Sequence, residues 1–378
     1  MAFVVFWTSF VTLCFAFIGY PLLLRCVAFI PFRRHAVDES FTPHVSLILS
    51  VYNEEDVIGG KIRNFSELHY PADLLEFVIV SDGCTDGTEA IIRSCADVEP
   101  RIRLFVQHER GGKTLALNRG VAESRGSVLI FTDANSLFDQ DAVVKLVRHF
   151  SDTGIGLVSG RSVYLDSAGE GERSGGAYRA YEEMIKEAES ALGSIIGADG
   201  AIYALRRMLY ETLEPRFIND FLHTIQAVLR GYRAISDPEA ICREVVDECY
   251  DGEFRRQTRI MAQSWLIFFS QIGPLLARGR LFYLAAFISH KLLRWLTLPL
   301  LLLLVGAALY LLREGVVYLV VLTVVTVGAL FALAGGYGRG GRPGRLANLF
   351  FLLHAAALSG FVQFVRGNRY TTWNPRAN

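Results

Sequence analysis

Apolar positions are distributed along this chain in three regimes. Residues 2–30 are almost wholly apolar, with Arg25 the only charge. That run exceeds the ~20 residues a helix needs to cross a bilayer. A secretory signal peptide places basic residues ahead of its apolar run, whereas Arg25, Arg33 and Arg34 come at its end or after it. Residues 1–30 are therefore predicted to form an uncleaved transmembrane anchor. Residues 37–251 alternate instead. The short apolar runs "VSLILSV", "EFVIVSD", "RIRLFVQ" and "SVLIFTD" predict strands. The segments "NEEDVIGGKIRNF", "GTEAIIRSCA", "KTLALNRGVAESR" and "DQDAVVKLVRHF" predict the helices that follow them. Strands alternating with helices of about 10–14 residues imply βαβ units and a mostly parallel sheet. A further helix, "AYRAYEEMIKEAESALGSII", sets Tyr178, Tyr181, Ile185, Ala188 and Leu192 on one face, the spacing of ordinary packing.

The third regime is C-terminal. Residues 252–295 join the basic segment "RRQTRI" to apolar sequence and predict amphipathic helices at the membrane surface. His290, Lys291, Arg294 and Trp295 precede the next apolar run and read as interface anchors. Residues 296–366 hold three apolar runs, at 296–312, 316–334 and 346–365, and residues 367–378 form a tail. Positive charge is retained on the cytoplasmic side of membrane proteins. Arg25, Arg33 and Arg34 thus place 37–251 in the cytoplasm, and Arg339, Arg342 and Arg345 place the last connection there too. Four spans would send the tail outside, against its own Arg366, Arg369 and Arg376. Either a span is missing or the last run lies in the interface.

Composition sharpens this picture. The chain has 378 residues, 52% of them hydrophobic, and a mean hydropathy of +0.31, which agrees with part of it lying in lipid. Lys plus Arg equals Asp plus Glu at 38 each, so no basic field exists to attract nucleic acid. Cys14, Cys26, Cys84, Cys95, Cys242 and Cys249 form no C-x-x-C pair and no zinc spacing, and read as reduced thiols.

The candidate chemistry sits at strand ends. In open α/β sheets, ligands bind beyond the C-terminal ends of the strands. "VIVSDG" and "LIFTDAN" put Asp82 and Asp133 there. One such Asp is commonly a helix cap; two, the second followed by Asn135, offer oxygen ligands suited to Mg2+ or Mn2+ bridging a diphosphate. "GGKT" is not a phosphate loop of the Walker type, because the required glycine five before Gly112 is Gln107. Lys113 remains available as a point charge for phosphate.

The ordered series "SLILSVYNEE", "VIVSDGCTDGT", "GGKTLALNRG", "LIFTDAN", "GADGAIYALRR", "INDF" and "RRQTRI" resembles inverting family 2 glycosyltransferases with a GT-A domain. It is similar in particular to the membrane-integrated branch of cellulose, hyaluronan and poly-N-acetylglucosamine synthases. The resemblance implies a Rossmann-like α/β domain at 37–251 that binds a nucleotide-sugar, and a UDP-sugar above others. It implies that Asn53, Glu55 and Asp82 hold the nucleoside. Asp133 and Asn135 would carry the metal at the D-x-D position, and Asp220 would be the catalytic carboxylate. Gly197, Asp199, Gly200 and Arg206-Arg207 would lie near the sugars. Lys113, Arg256 and Arg259 would meet the donor diphosphate, the two arginines from the site that many processive members fill with Q-x-x-R-W.

Three departures matter. D-x-D ends in the neutral Asn135, the residue before Asp220 is Asn219 rather than an acid, and the Q-x-x-R-W site lacks both Gln and Trp. Trp265 lies five residues beyond it. The expected activity is transfer of a sugar to a growing polysaccharide in the cytoplasmic membrane, or, as the alternative, a single transfer to a lipid-linked acceptor. A channel with a nucleotide-sensing domain is the rival of another class, and the lack of an intramembrane acid argues against it. Asp220 also precedes a helix-like run, "FLHTIQAVLRG", which makes a helix cap the bland reading of that residue.

Overall fold

The computed structural model describes residues 1–28, 35–165, 176–245, 250–368 and 370–371. Arg33, Arg34, Cys249, Arg369 and Arg376 lie outside the described residues. The four strand-then-helix units form as the alternation requires. These are β1 (Val45–Val51) with α3 (Glu55–Ser66), β2 (Leu75–Asp82) with α4 (Thr88–Ala96), β3 (Ile102–Gln107) with α5 (Lys113–Glu123), and β4 (Val128–Thr132) with α6 (Ala142–Val147). Strands β3, β2, β1 and β4 pair in parallel, in that order. Leu47, Ile48, Leu49, Val78, Ile79, Val80, Leu129 and Ile130 are fully buried. Helices cover both faces, so the centres of β1, β2 and β4 are continuous apolar runs rather than alternating ones.

The sheet then changes character. Four more strands, β5 (Ser136–Phe138), β6 (Ile155–Leu165), β7 (Ile202–Arg206) and β8 (Arg233–Val245), extend it in the order β4-β7-β6-β8-β5. β7 is antiparallel to both β4 and β6, β8 is parallel to β6, and β5 is antiparallel to β8. The result is a mixed α/β sheet, parallel for most of its pairings. Helices α7 (Gly176–Leu192) and α8 (Asn219–Leu229) belong to this half.

Flanking the sheet are α1 (Ala2–Cys14), α2 (Tyr20–Ala28), α9 (Tyr250–Ala277), α10 (Leu281–Phe287), α11 (Leu293–Trp295), α12 (Thr297–Tyr310), α13 (Val316–Gly336) and α14 (Gly341–Val365). Among the described residues four helices are long and apolar enough to cross a membrane: Ala2–Val27, Gly252–Ala277, Val316–Gly336 and Gly341–Val365. The α10–α12 segment adds a fifth candidate, bent by 62°. α14 presses closely on α9: a Cβ on Gly360 would sit 2.6 Å from the Met261 Cβ. Beyond α14 the tail turns back. The Gln263 amide donates to the carbonyls of both Arg216 and Tyr370, so the start of the tail lies against the domain built on the sheet.

The anchoring role expected for "ISHKLLRW" is not what the fold shows. His290 and Arg294 are 1% and 7% exposed. They turn inward onto Glu182 and Glu189 of α7 instead of outward to lipid headgroups. Acids on α7 and bases after α10 neutralise one another in the junction. Tyr181, Ile185, Ala188 and Leu192 do pack as their spacing requires, against Tyr20 and Leu24 of α2, whereas Tyr178 at the start of the stripe is exposed.

Candidate active site

Three parallel strands end at one edge and carry the first set of groups. β1 runs into Tyr52-Asn53-Glu54-Glu55, β2 ends on Asp82, and β4 leads to Asp133. Asn53 takes a left-handed conformation (φ 54°), which its short polar side chain tolerates. Its carbonyl oxygen accepts from Thr85 N–H at 2.8 Å and its amide donates to Thr85 Oγ1 at 3.1 Å. Glu55 Oε2 accepts from Gly87 N–H at 2.8 Å. Both side chains thus stitch the loop after β1 to the loop after β2. Asp82 is 2% exposed, and its two oxygens accept from the N–H groups of Gly111 and Gly112 at 2.7 and 2.8 Å. Gly112, at φ 91°, supplies a conformation other residues resist. Asp82 therefore anchors the glycine loop that launches α5 with Lys113 at its first position. This answers why an apolar strand should end on an acid: the acid fastens the neighbouring loop.

Lys113 Nζ donates to the Asp133 carboxylate. Asp133 is about one-third exposed and Asn135 is exposed on the same turn. Their oxygens suit a hard cation. Among the described residues no cluster of three His, Cys, Asp or Glu could enclose a metal alone. Two protein oxygens plus phosphate and water make the kind of shell Mg2+ commonly takes, so these residues fit a cation shared with a diphosphate.

The opposite wall comes from α8 and from the loop before β7. Asp220 is the second residue of α8, whose N-cap is Ile218; it is not the cap. Burial pushes its carboxyl up to about 6, with Asp199 and Asp133 adding to the rise and Lys113 and the Phe221 N–H opposing it. Gly200 sits against it: a Cβ there would lie 3.2 Å from Asp220 Oδ2. Gly197 faces Phe221, where a Cβ would come within 3.3 Å. Asp199 is a brace, accepting from the N–H groups of Ser162 and Ala201, each at 3.1 Å. Arg259 of α9 is electrostatically coupled to both Asp133 and Asp220, while Arg256 pairs with Glu253 at 3.3 Å and faces Glu244. Lys113, Asp133, Asp199, Gly200, Asp220 and Arg259 therefore converge on one centre.

Other expectations move. Arg206 lies opposite Val128, at the far end of β4 from Asp133, and binds the carbonyls of Phe150, Asp152 and Ile155. Arg207 likewise holds the carbonyls of Gly126 and Val121. Neither lies at the end of the sheet that carries Asp133 and Asp220. Trp265 is 3% exposed, donates to the Ala357 carbonyl at 3.3 Å, and packs against Trp295 and Phe361. It is a core residue, not a stacking surface.

The sequence reading missed a layer behind the metal turn. Lys61 of α3, 1% exposed, donates to Thr132 Oγ1 at 2.9 Å and to the Ser136 carbonyl, and covers the Phe138 ring at 4.2 Å. Burial pulls its ammonium down to about 8. Asn64, three residues on, exchanges both amide bonds with the Phe138 backbone at 2.8 Å. Ser136 donates to Glu244 Oε1 at 2.5 Å, and burial, helped by Asp199, pushes the Glu244 carboxyl up to about 7. The signals were present. Lys61 interrupts the apolar stripe Ile58, Ile62, Phe65 of α3, and Glu244 falls at an inward position after Ala240 and Cys242.

Known proteins resemble this chain in sequence and in fold. Residues 46–233 match the family Glycosyl transferase family 2. The chain is 25% identical over 221 residues to the Poly-beta-1,6-N-acetyl-D-glucosamine synthase of Staphylococcus aureus (strain MSSA476), covering 57% of this chain and 53% of that protein. It is 28% identical over 227 residues to the Probable glycosyltransferase YdaM of Bacillus subtilis (strain 168), covering 57% and 54%. The chain thus spans about half the length of the curated relatives it matches. The solved structure of the mannosyltransferase PcManGT from Pyrobaculum calidifontis, in complex with GDP-Man and Mn2+, is similar with a TM-score of 0.74 at 24% identity, over 98% of this chain and 100% of that one. At that identity the likeness is one of fold, and its extent takes in the flanking helices. The chain carries a Glycosyl transferase family 2 domain of GT-A fold.

Proposed function

We propose that this protein transfers a sugar with inversion from a nucleotide-sugar to an acceptor at the membrane surface. The observation that carries the reading is Asp220, a carboxyl pushed up to about 6 beside Lys113 and Asp133. Asp220 takes the proton of the attacking acceptor hydroxyl, and a group poised near neutrality suits that task. Attack opposite the leaving diphosphate inverts the anomeric centre. Lys113 leaves Asp133 for the diphosphate, joined by Arg259 and, from farther out, Arg256. When bound to Asp133 and Asn135, Mg2+ or Mn2+ would offset the charge that builds on the leaving group. Asn53, Glu55 and Asp82 shape the nucleoside side through the loops they fasten, and Gly197, Asp199 and Gly200 line the acceptor side. A UDP-sugar is the favoured donor; the GDP-Man of the Pyrobaculum mannosyltransferase makes GDP-sugars the comparison. Purified protein in lipid with Mn2+ or Mg2+ should release nucleotide from at least one member of a UDP- and GDP-sugar panel. Silence with every donor would overturn the reading.

The acceptor is a growing polysaccharide or a lipid-linked saccharide. One observation favours single transfer to the lipid-linked acceptor: Trp265 is buried and Ile260 stands where processive relatives carry Trp, so no indole lies there to stack on a lengthening chain. A ladder of products, rather than one, would reverse that preference. The catalytic domain is read as facing the cytoplasm, with the α1–α2 helix and the α12–α13 hairpin crossing. The return of the tail to Gln263 supports an even number of crossings after the domain. A cysteine introduced at exposed Glu67 in a cysteine-free background should resist a membrane-impermeant thiol reagent in intact cells.

A further inference from the structure

The acidic pair of α7 has no task in sugar transfer as described. Glu182 and Glu189 are seven residues apart, so they share the helix face that carries Ile185 onto Tyr20 and Leu24. An apolar stripe holds two carboxylates only when each is paired and hydrogen-bonded. Glu189, 2% exposed, accepts from Tyr20 OH at 2.8 Å, meets His290 Nδ1 at 2.7 Å, and accepts from the Ile196 N–H at 3.3 Å. Glu182 meets the other ring nitrogen of His290 at 3.2 Å, Lys291 at 3.5 Å, and Arg294. One carboxylate, Glu189, thus touches the first apolar helix, the segment after α10, and the strand-entry loop of the catalytic domain.

The path continues to the reacting centre. The Ile196 carbonyl accepts from Tyr283 OH of α10 at 3.2 Å, so one polar atom of this residue is held directly by a flanking helix and the other through Glu189, itself tied to Tyr20 and His290. Two residues on, Ala198 N–H donates to Thr224 Oγ1 at 3.2 Å, and that hydroxyl donates to the Asp220 carbonyl at 2.7 Å. Gly200 then abuts the Asp220 carboxylate. We propose that Glu189 and Tyr283 are positioning residues through which the helices flanking the catalytic domain set the 196–200 loop against Asp220. The inference rests on the reading of Asp220 as base and of this loop as the acceptor wall. Bonds that shape the donor side, from Asn53, Glu55 and Asp82, share no atom with this path.

Amide hydrogen exchange on the full chain in lipid nanodiscs tests it, because local opening registers segment by segment. Tyr283→Phe and Glu189→Gln should each speed exchange across 194–201 by roughly ten-fold while leaving 128–135 within two-fold of the parent. Tyr20→Phe, a milder cut, should act in the same direction. Turnover by nucleotide release should fall by roughly ten-fold for the first two variants, with the affinity for Mn2+–UDP and Mn2+–GDP unchanged. Unaltered exchange in 194–201, or acceleration spread over the whole domain, overturns the proposal; so does a matching loss of nucleotide affinity. Asp220→Asn is run alongside. It should leave exchange in 194–201 at the parent rate and cut transfer on the order of 10²–10⁴-fold. If it transfers normally, the catalytic reading fails while the exchange data still decide the coupling.

Discussion

The two halves of the sheet build their parts of the site in opposite ways. In the parallel half, side chains fasten loops to the loops next to them: Asn53 to Thr85, Glu55 to Gly87 and Asp82 to Gly111, each pair about thirty residues apart. In the mixed half the ties are long. Ser136 reaches Glu244, 108 residues on; Glu189 reaches back 169 residues to Tyr20 and forward 101 to His290. The loops after β1, β2 and β3 are therefore fastened between neighbouring βα turns, whereas the wall bearing Asp199, Gly200 and Asp220 exists only once the chain has closed on itself and on its flanking helices. Damage to one half should leave the other's function measurable.

The largest break belongs to the acceptor wall. Asp220→Asn keeps the size and polarity of the side chain and removes its capacity to take a proton. Turnover should fall on the order of 10²–10⁴-fold with nucleotide affinity unchanged. Titration calorimetry with Mn2+–UDP or Mn2+–GDP checks the second half of that statement. A variant turning over within a few-fold of the parent would return Asp220 to a structural role. Asp133→Ala strikes the donor side. It strips the anionic ligand proposed for the metal, so turnover should fall by at least ~10²-fold and nucleotide affinity should fall with it. Chelation should silence the parent, and Mn2+ or Mg2+ should restore it. Retained activity in chelator would sink the metal assignment.

That asymmetry also explains what could be read from the sequence. The strands β1 to β4 were legible because burial on both faces leaves unbroken apolar runs, and the acids ending β2 and β4 stood out against them. Asp82 was found but its task was not, because a carboxylate occupied by two backbone N–H groups looks the same in sequence as one awaiting a ligand. Arg206-Arg207 were misplaced for a topological reason: β7 runs antiparallel to β4, which carries its C-terminal residues to the wrong end of the sheet. His290 and Arg294 read as lipid anchors because basic residues before an apolar run usually are. Their acidic partners lie about a hundred residues earlier, in a helix whose apolar face had been counted without its acids. Lys61 and Glu244 broke the apolar pattern of their own elements, and that local anomaly was the available signal.

A smaller break sharpens the comparison within the donor half. Asn64 holds Phe138 by two backbone bonds and so closes the turn that bears Asp133 and Asn135. It carries no charge, which separates geometry from electrostatics; Lys61→Met would mix the two. Asn64→Leu should weaken Mn2+ binding by roughly 10–100-fold, the usual scale for residues that orient metal ligands. Electron paramagnetic resonance of added Mn2+ reads this directly, and saturating metal should recover most of the turnover. An unchanged Mn2+ affinity would mean the turn holds its shape without the clamp.

The smallest effect follows from the raised Asp220 carboxyl, and its sign separates stability from activity. Burial lifts this group from an ordinary value of 3.8 to about 6. Between those values the folded protein binds more protons than the unfolded chain, so stability falls as pH rises through the window and levels off above it. Below the lower value both states are protonated, and the contribution is fully present. Turnover runs the other way, since the base acts only when ionised and should gain rate as pH rises through about 6. Asp220→Asn removes the titration. At pH 7.5 the domain should melt about 2–4 °C above that of the parent, the scale of roughly 1 kcal/mol in a domain of about 150–250 residues. The gap should close as pH drops below 4. A variant that melts below the parent at pH 7.5 would show that Asp220 is held by favourable contacts, and that the carboxylate is not kept at a cost in stability.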